Sequence, residues 1–179
     1  MDWKPSLPQL PHISFDPPQR IKDLLALAPL DLSYLPDLQQ ACWPELPIVD
    51  VQVLVSEILA RHRRGYAWGK VAAVRDQIVG FGQLARWGSR TAEISDLVVA
   101  AAWRGRGIGT AIINDLIEVA RKQGFSNVEI GAAESNPQAL SLYKRLGFEE
   151  YKRILIDVGH GLENVIYLRY ALQPHRQSK

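Results

Sequence analysis

The segment Trp103-Arg104-Gly105-Arg106-Gly107-Ile108-Gly109-Thr110 interleaves glycine with arginine, and it lies between a Val-rich run and an amphipathic one. At a strand-to-helix junction, free backbone N–H groups and the positive end of a helix dipole can hold phosphate. Glycine lets the backbone approach a ligand closely, and Arg104 and Arg106 add positive charge for an anionic group. The combination points to a pyrophosphate. A Walker A loop is disfavoured, because no lysine follows Gly109. A dinucleotide fingerprint fits poorly as well: Gly105-x-Gly107 leads to Thr110, and several residues separate Val99 from Gly105. Glu129 stands near the position of a ribose-binding acid and keeps that alternative open, although the chain offers a single crossover unit where dinucleotide domains need several.

A resemblance bears on the choice. Arg104-x-x-Gly107-x-Gly109, preceded by Asp96-Leu97-Val98-Val99 and followed by an amphipathic run, resembles the acyl-CoA signature of the GNAT acetyltransferase superfamily. Asn136-x-x-Ala139-x-x-x-Tyr143-x-x-x-Gly147-Phe148 resembles that superfamily's later motif, at a spacing that suits an intervening strand. The pair, spanning about residues 65–172, is far more specific than either motif alone.

The resemblance implies acetyl-CoA as cosubstrate, with no metal. The backbone of Arg104, Gly105, Arg106, Gly107, Ile108, Gly109 and Thr110 would bind the CoA pyrophosphate. Leu97, Val98 and Val99 would hydrogen-bond the pantetheine arm and polarise the thioester carbonyl. Asn136, with Ala139 in the same motif, would contact the CoA arm, and Tyr143 would protonate the departing thiolate. Ala101 departs from the pattern, since many members have proline there.

An acceptor amine with a pKa of about 10 is mostly protonated at neutral pH and must lose a proton before it attacks. Glu93 is the first candidate base, similar in position to the catalytic glutamate of histone-acetyltransferase members, and Asp96 is the second. On a regular strand the two point to opposite faces, so a bulge is needed for both to face one cleft. His160 is a further candidate to line the acceptor cleft, as are the aromatic residues Trp43, Tyr66, Trp68 and Trp87, although core packing explains the latter equally. The acceptor is open: a protein N-terminus or lysine, or a small-molecule amine. A function of a different class is a non-catalytic CoA-binding interaction module.

These residues must be positioned by a fold. Apolar periodicity predicts brief helices at Ile21–Ala28 and Tyr34–Ala41, a longer one from Val49 to Arg63, and helices at Thr110–Lys122 and Pro137–Leu146. Alternation predicts strands at Trp68–Val74, Ile78–Trp87, Thr91–Ala100, Asn127–Ala132, Glu150–Val158 and Glu163–Leu172. The expected class is α/β: a single mixed, mostly antiparallel sheet flanked by helices, with one parallel crossover through the helix that follows the glycine segment. The expected division is a Pro-rich arm at 1–20, a domain at 21–173 with its CoA-binding core at about 65–150, and a tail at 174–179; residues 21–65 are read as helices covering the acceptor side.

Composition sets limits. A length of 179 residues suits one domain, and a formal charge of +2 is too small to give an expectation of nucleic-acid binding. No apolar run suggests a membrane span, and the lone Cys42 fits a reducing compartment. The start of the chain resembles neither a signal nor a transit peptide, so the expected location is cytoplasmic. Oligomeric state leaves no mark in the sequence.

Overall fold

The computed structural model describes residues 21–157 and 161–172. The elements run α1 (Ile21–Leu24), β1 (Leu25–Pro29), α2 (Leu35–Cys42), α3 (Ile48–Arg63), β2 (Ala67–Val74), β3 (Gln77–Arg86), β4 (Thr91–Val99), α4 (Ile108–Lys122), β5 (Asn127–Ala133), α5 (Pro137–Arg145), β6 (Glu149–Asp157) and β7 (Leu162–Ala171). Seven strands form one sheet in the order β1-β2-β3-β4-β5-β7-β6. Every pairing is antiparallel except β4 with β5.

The expected elements fall within a residue or two of the observed ones, with one correction. Ile21–Ala28 is not a helix: after one turn, Leu25–Pro29 becomes an edge strand paired with β2. Pro29 closes a run too short for a stable helix, whereas an edge position tolerates proline and lets Leu25 and Leu27 pack on the core. The region 21–65 is therefore a strand plus helices. The Pro-rich arm, the C-terminal tail and His160 lie outside the described residues.

Two apolar layers sandwich the sheet. Helix α4 buries Ile108, Ile112, Ile113, Leu116, Ile117 and Ala120 on one stripe, against Ala72, Leu84, Ile94 and Ile130 of one sheet face. Helices α2 and α3 cover the other face through Leu38, Val51, Val55 and Ile58, packed on Val71 and Phe81. On that second face the helices lie over β2 and β3 and reach the margin of β4. Their main packing is on β2 and β3, so the second face of β5 and β7 is the less covered part of the sheet.

Gly82 permits the close approach of α4. A Cβ there would meet Ile112 Cγ2 at 2.8 Å and Leu97 Cδ1 at 3.2 Å. Trp68 and Trp43 belong to the core, edge-on to Phe125 at 5.8 Å and tilted on Phe81 at 5.3 Å, whereas Tyr66 and Trp87 are exposed. Cys42 is buried, and burial pushes its thiol up to about 12, so it is no nucleophile at neutral pH. No helix among the described residues is long and apolar enough to cross a membrane.

Candidate active site

The parallel pair holds the key to the site. β4 and β5 are in register from Thr91↔Asn127 to Ile94↔Ile130, and then they separate. From Ser95 to Val99, β4 pairs with β3 on one side only. Apart from the Val99 carbonyl, which accepts from Arg104 Nε, the strand thus offers backbone N–H and C=O groups to a wedge-shaped gap, which an extended amide-bearing chain could enter as a strand does.

The glycine segment lies at the far end of this gap. After a single turn at Ala101–Trp103, Gly105 and Gly107 take positive φ values of 71° and 83°, and Gly107 caps α4 in the left-handed conformation. The helix opens with Ala111 N–H donating to Gly107 O at 3.0 Å, so the amides of Ile108, Gly109 and Thr110, in its first turn, have no helical acceptor. Nothing lies within 4 Å of where a Cβ would stand on Gly105 or Gly107. Space, unpaired amides and the positive end of a 15-residue helix therefore coincide, as a pyrophosphate requires. Both arginines also have partners in the chain: Arg104 Nε donates to Val99 O at 3.0 Å, and Arg106 lies 5.2 Å from the Trp103 ring centre.

Across the gap, α5 begins at Asn136, whose side chain accepts from Ala139 N–H at 3.1 Å. That cap uses the Ala139 amide, and Pro137 occupies the first turn where its missing N–H costs nothing. Tyr143 lies two turns on, 6% exposed, with its ring 6.3 Å from that of Phe148. Burial raises the phenol's pKa, so the hydroxyl keeps its proton at neutral pH.

The two candidate bases share a face, because β4 is bulged. Phe81 pairs with Val98 and Gln83 with Ser95, so Gly82 stands opposite both Asp96 and Leu97. Asp96 takes φ 49°, and its Oδ2 accepts from Gln83 Nε2 at 2.5 Å. Glu93 is half-buried on the open sheet face. Its pKa is raised, first by burial and then by the charges of Glu129 and Asp96, against a lowering influence from Lys152.

Glu129 is differently placed. Arg169 holds its Oε1 through Nε at 3.1 Å and Nη2 at 2.7 Å, and the carboxylate's nearness to the Tyr151 hydroxyl helps raise that phenol's pKa. The Arg169 guanidinium lies 4.0 Å from the Tyr151 ring centre. So engaged, Glu129 is not free to bind a ribose, and among the described residues β4–β5 is the single parallel pair, where a dinucleotide-binding crevice needs several. Gly131 has no side chain to obstruct Tyr167, whose ring would lie 3.2 Å from a Cβ there and which faces Glu93.

Sequence reasoning did not single out Gln83, Tyr151, Lys152, Tyr167 or Arg169. They come to this face from β3, β6 and β7, and no local motif marks them. A hollow of about 1000 Å³ opens beside Ala100–Trp103 and Arg106, but it touches none of Glu93, Asp96 and Tyr143 and so is not the reaction centre.

The acetyltransferase (GNAT) family model matches residues 32–148. An uncharacterized N-acetyltransferase of Methanocaldococcus jannaschii is 52% identical over 59 residues, 33% of this chain and 26% of that protein. The L-methionine sulfoximine/L-methionine sulfone acetyltransferase of Pseudomonas paraeruginosa is 33% identical over 114 residues, 61% of this chain and 65% of its own. The chain thus spans less than two-thirds of the length of these relatives. Among solved structures, the yncA acetyltransferase of Salmonella typhimurium, determined with acetyl-CoA, shares the fold with a TM-score of 0.70 at 20% identity, over 87% of this chain and 98% of that one.

Proposed function

The chain belongs to the acetyltransferase (GNAT) family, and from that membership we propose that it is an acetyl-CoA-dependent N-acetyltransferase acting on a primary amine. The observation that carries the reading is the divergence of β4 from β5 beyond Ile94, between a glycine-lined helix start and a half-buried glutamate without an ion-pair partner among the described residues.

Acetyl-CoA supplies an activated acyl carbon and a thiolate leaving group. The amides of the 104–110 loop hold its pyrophosphate, with Arg104 and Arg106 adding charge. The edge of Leu97, Val98 and Val99, which β5 leaves unpaired, receives the pantetheine amides, with Asn136 and the first turn of α5 on the other side. A backbone N–H of that edge polarises the reacting carbonyl. Glu93 takes a proton from the amine nitrogen, and a carboxylate of raised pKa is better matched to that task near neutral pH than an ordinary one. Tyr143 holds a proton at its hydroxyl for the departing sulfur. Amine and acyl donor meet in one ternary complex, and proximity supplies much of the acceleration. The Pseudomonas relative is named for acetylating L-methionine sulfoximine, which keeps small amines beside protein N-termini and lysines among the acceptors to be screened.

Calorimetric titration with acetyl-CoA and CoA tests the reading, alongside an Arg104→Ala, Gly107→Glu double variant. Binding by the parent protein that the variant abolishes, followed by thiol release with an amine, is the expected result. A folded protein that binds neither ligand overturns it. Binding without turnover on any amine would instead make the chain a CoA-binding interaction module.

A further inference from the structure

The formal charge of +2 is an average over an uneven surface. Arg61, Arg63 and Arg64 are exposed at the end of α3, and Arg90 is exposed in the turn between β3 and β4. Arg86 joins them from the end of β3: its backbone N–H donates to Tyr66 O at 2.8 Å and its Nε to Gly65 O at 3.3 Å. None of these arginines is in an ion pair among the described residues. The acids nearest along the adjoining helices are Glu57, one turn before Arg61, and Glu118, which Arg121 already holds. Cations at a helix C-terminus complement its dipole, which accounts for Arg61 and Arg63. Arg86 and Arg90 come from other elements and need another explanation.

Two aromatic rings stand among these cations. Trp87 is 73% exposed and Tyr66 51%. The register Ala67↔Ala85 extends to Tyr66 opposite Arg86, so Trp87 lies one step further at the same end of the sheet. An indole this open adds little to the core. The guanidinium groups beside it are held in place: Arg86 lies 4.5 Å from the Phe125 ring centre, and Arg90 Nε donates to Ser126 Oγ at 2.9 Å. In both, Nε is engaged within the protein, and the terminal N–H groups, which have no partner among the described residues, are left as a fork for a phosphate.

This end of the sheet is remote from the glycine segment. It gathers the last turn of α3, the start of β4 and the residues after α4, whereas Gly105 and Gly107 precede α4, whose 15 residues rise about 22 Å. Arg86 and Arg90 therefore do not serve a pyrophosphate held there.

We propose that this end of the sheet binds single-stranded nucleic acid, with Arg61, Arg63, Arg64, Arg86 and Arg90 on the phosphates and Trp87 and Tyr66 stacked on bases. Unpaired arginines beside open aromatic rings are what such a strand requires, since the charge follows the backbone and the rings take bases of any sequence. A lipid surface fits less well, because the turn that carries Trp87 continues as Gly88-Ser89-Arg90 and has no aliphatic residue to insert beside it. The surface stands apart from the acyl-CoA site, and its failure would leave the acyltransferase reading untouched.

The test is fluorescence anisotropy on the full chain with labelled oligouridine and oligothymidine of about twelve nucleotides, a length within the usual site sizes. Both carry the chemistry, and the tighter of the two identifies the source as RNA or DNA. Log affinity should fall with log salt at a slope approaching about −3.5, at about 0.7 per arginine–phosphate contact. Arg63→Ala, Arg64→Ala should reduce that slope by about 1.4 while unfolding at nearly the parent temperature. Trp87→Ala should weaken binding about tenfold with the slope unchanged, and Trp87→Phe should restore most of the loss. Binding of neither oligonucleotide, or a double arginine variant with the parent's slope, would overturn the proposal. So would parent-like affinity in Trp87→Ala, equal competition by inorganic polyphosphate, displacement by CoA, or tighter binding to vesicles of equal parts phosphatidylglycerol and phosphatidylcholine.

Discussion

Glu93 and Glu129 are register partners on adjacent parallel strands, yet Arg169 grips only Glu129. The arrangement divides two neighbouring acids into a structural anion and a chemically available one. Glu93→Gln should therefore lower kcat by about 10²–10⁴-fold, the usual worth of a general base, and leave acetyl-CoA affinity unchanged. Thiol-release kinetics and calorimetry read the two effects separately. The same change should raise the melting temperature at pH 7. A carboxyl whose folded pKa is raised binds its proton more tightly in the folded state than in the unfolded one, so stability falls as pH rises through that window. Removing the charge relieves the cost.

Lys152 gives a second test of the same group. Its ammonium lies 5.8 Å from the Tyr167 ring centre and lowers the pKa of Glu93, against the raising effects of burial, Glu129 and Asp96. The base works only when ionised. Lys152→Met should therefore move the acid limb of the kcat/KM profile to higher pH, and Lys152→Arg should leave it near its original position. A limb that stays still, or moves down, assigns the titration to another residue.

Tyr143 combines a packing role with a proton. Tyr143→Phe keeps the contact with Phe148 and should unfold at nearly the parent temperature while turning over about 10²-fold more slowly. Tyr143→Ala empties a buried site and should cost about 3–5 kcal/mol in urea denaturation. If Tyr143→Phe is as fast as the parent, the leaving sulfur takes its proton from elsewhere.

Gly82 should tolerate no side chain. With Ile112 2.8 Å from the position of a Cβ, Gly82→Val must lift α4 or shift β4. Destabilisation of about 1–3 kcal/mol is expected from overpacking, measured by urea denaturation. Because Leu97 is the other close neighbour, weakened acetyl-CoA binding should accompany it.

Much of this was legible in the sequence, for physical reasons that also mark the limit. The turn at Gly105–Gly107 needs left-handed backbone, the start of α5 needs Asn136 and Pro137, and α4 needs its apolar stripe. Each demand is local and so leaves a local trace. The edge strand Leu25–Pro29 left none, because LALAP alternates too briefly to outweigh a helical reading and is settled by pairing with β2. The common face of Glu93 and Asp96 depends on a bulge whose partner is Gly82, in another strand. Gln83, Lys152, Tyr167 and Arg169 reach the site only through strand order, which no window of sequence encodes.

The short ladder between β4 and β5 has a mechanical consequence. Only four rungs fasten the β1–β4 half of the sheet to the β5-β7-β6 half before the seam opens. A molecule lying in that seam and bonded to both banks would be a structural member as well as a reactant, in effect an eighth strand borrowed for one turnover. The two halves would then be braced while the acyl group is present and loosened on release, so slow amide exchange along Leu97–Val99 would keep time with occupancy of the seam.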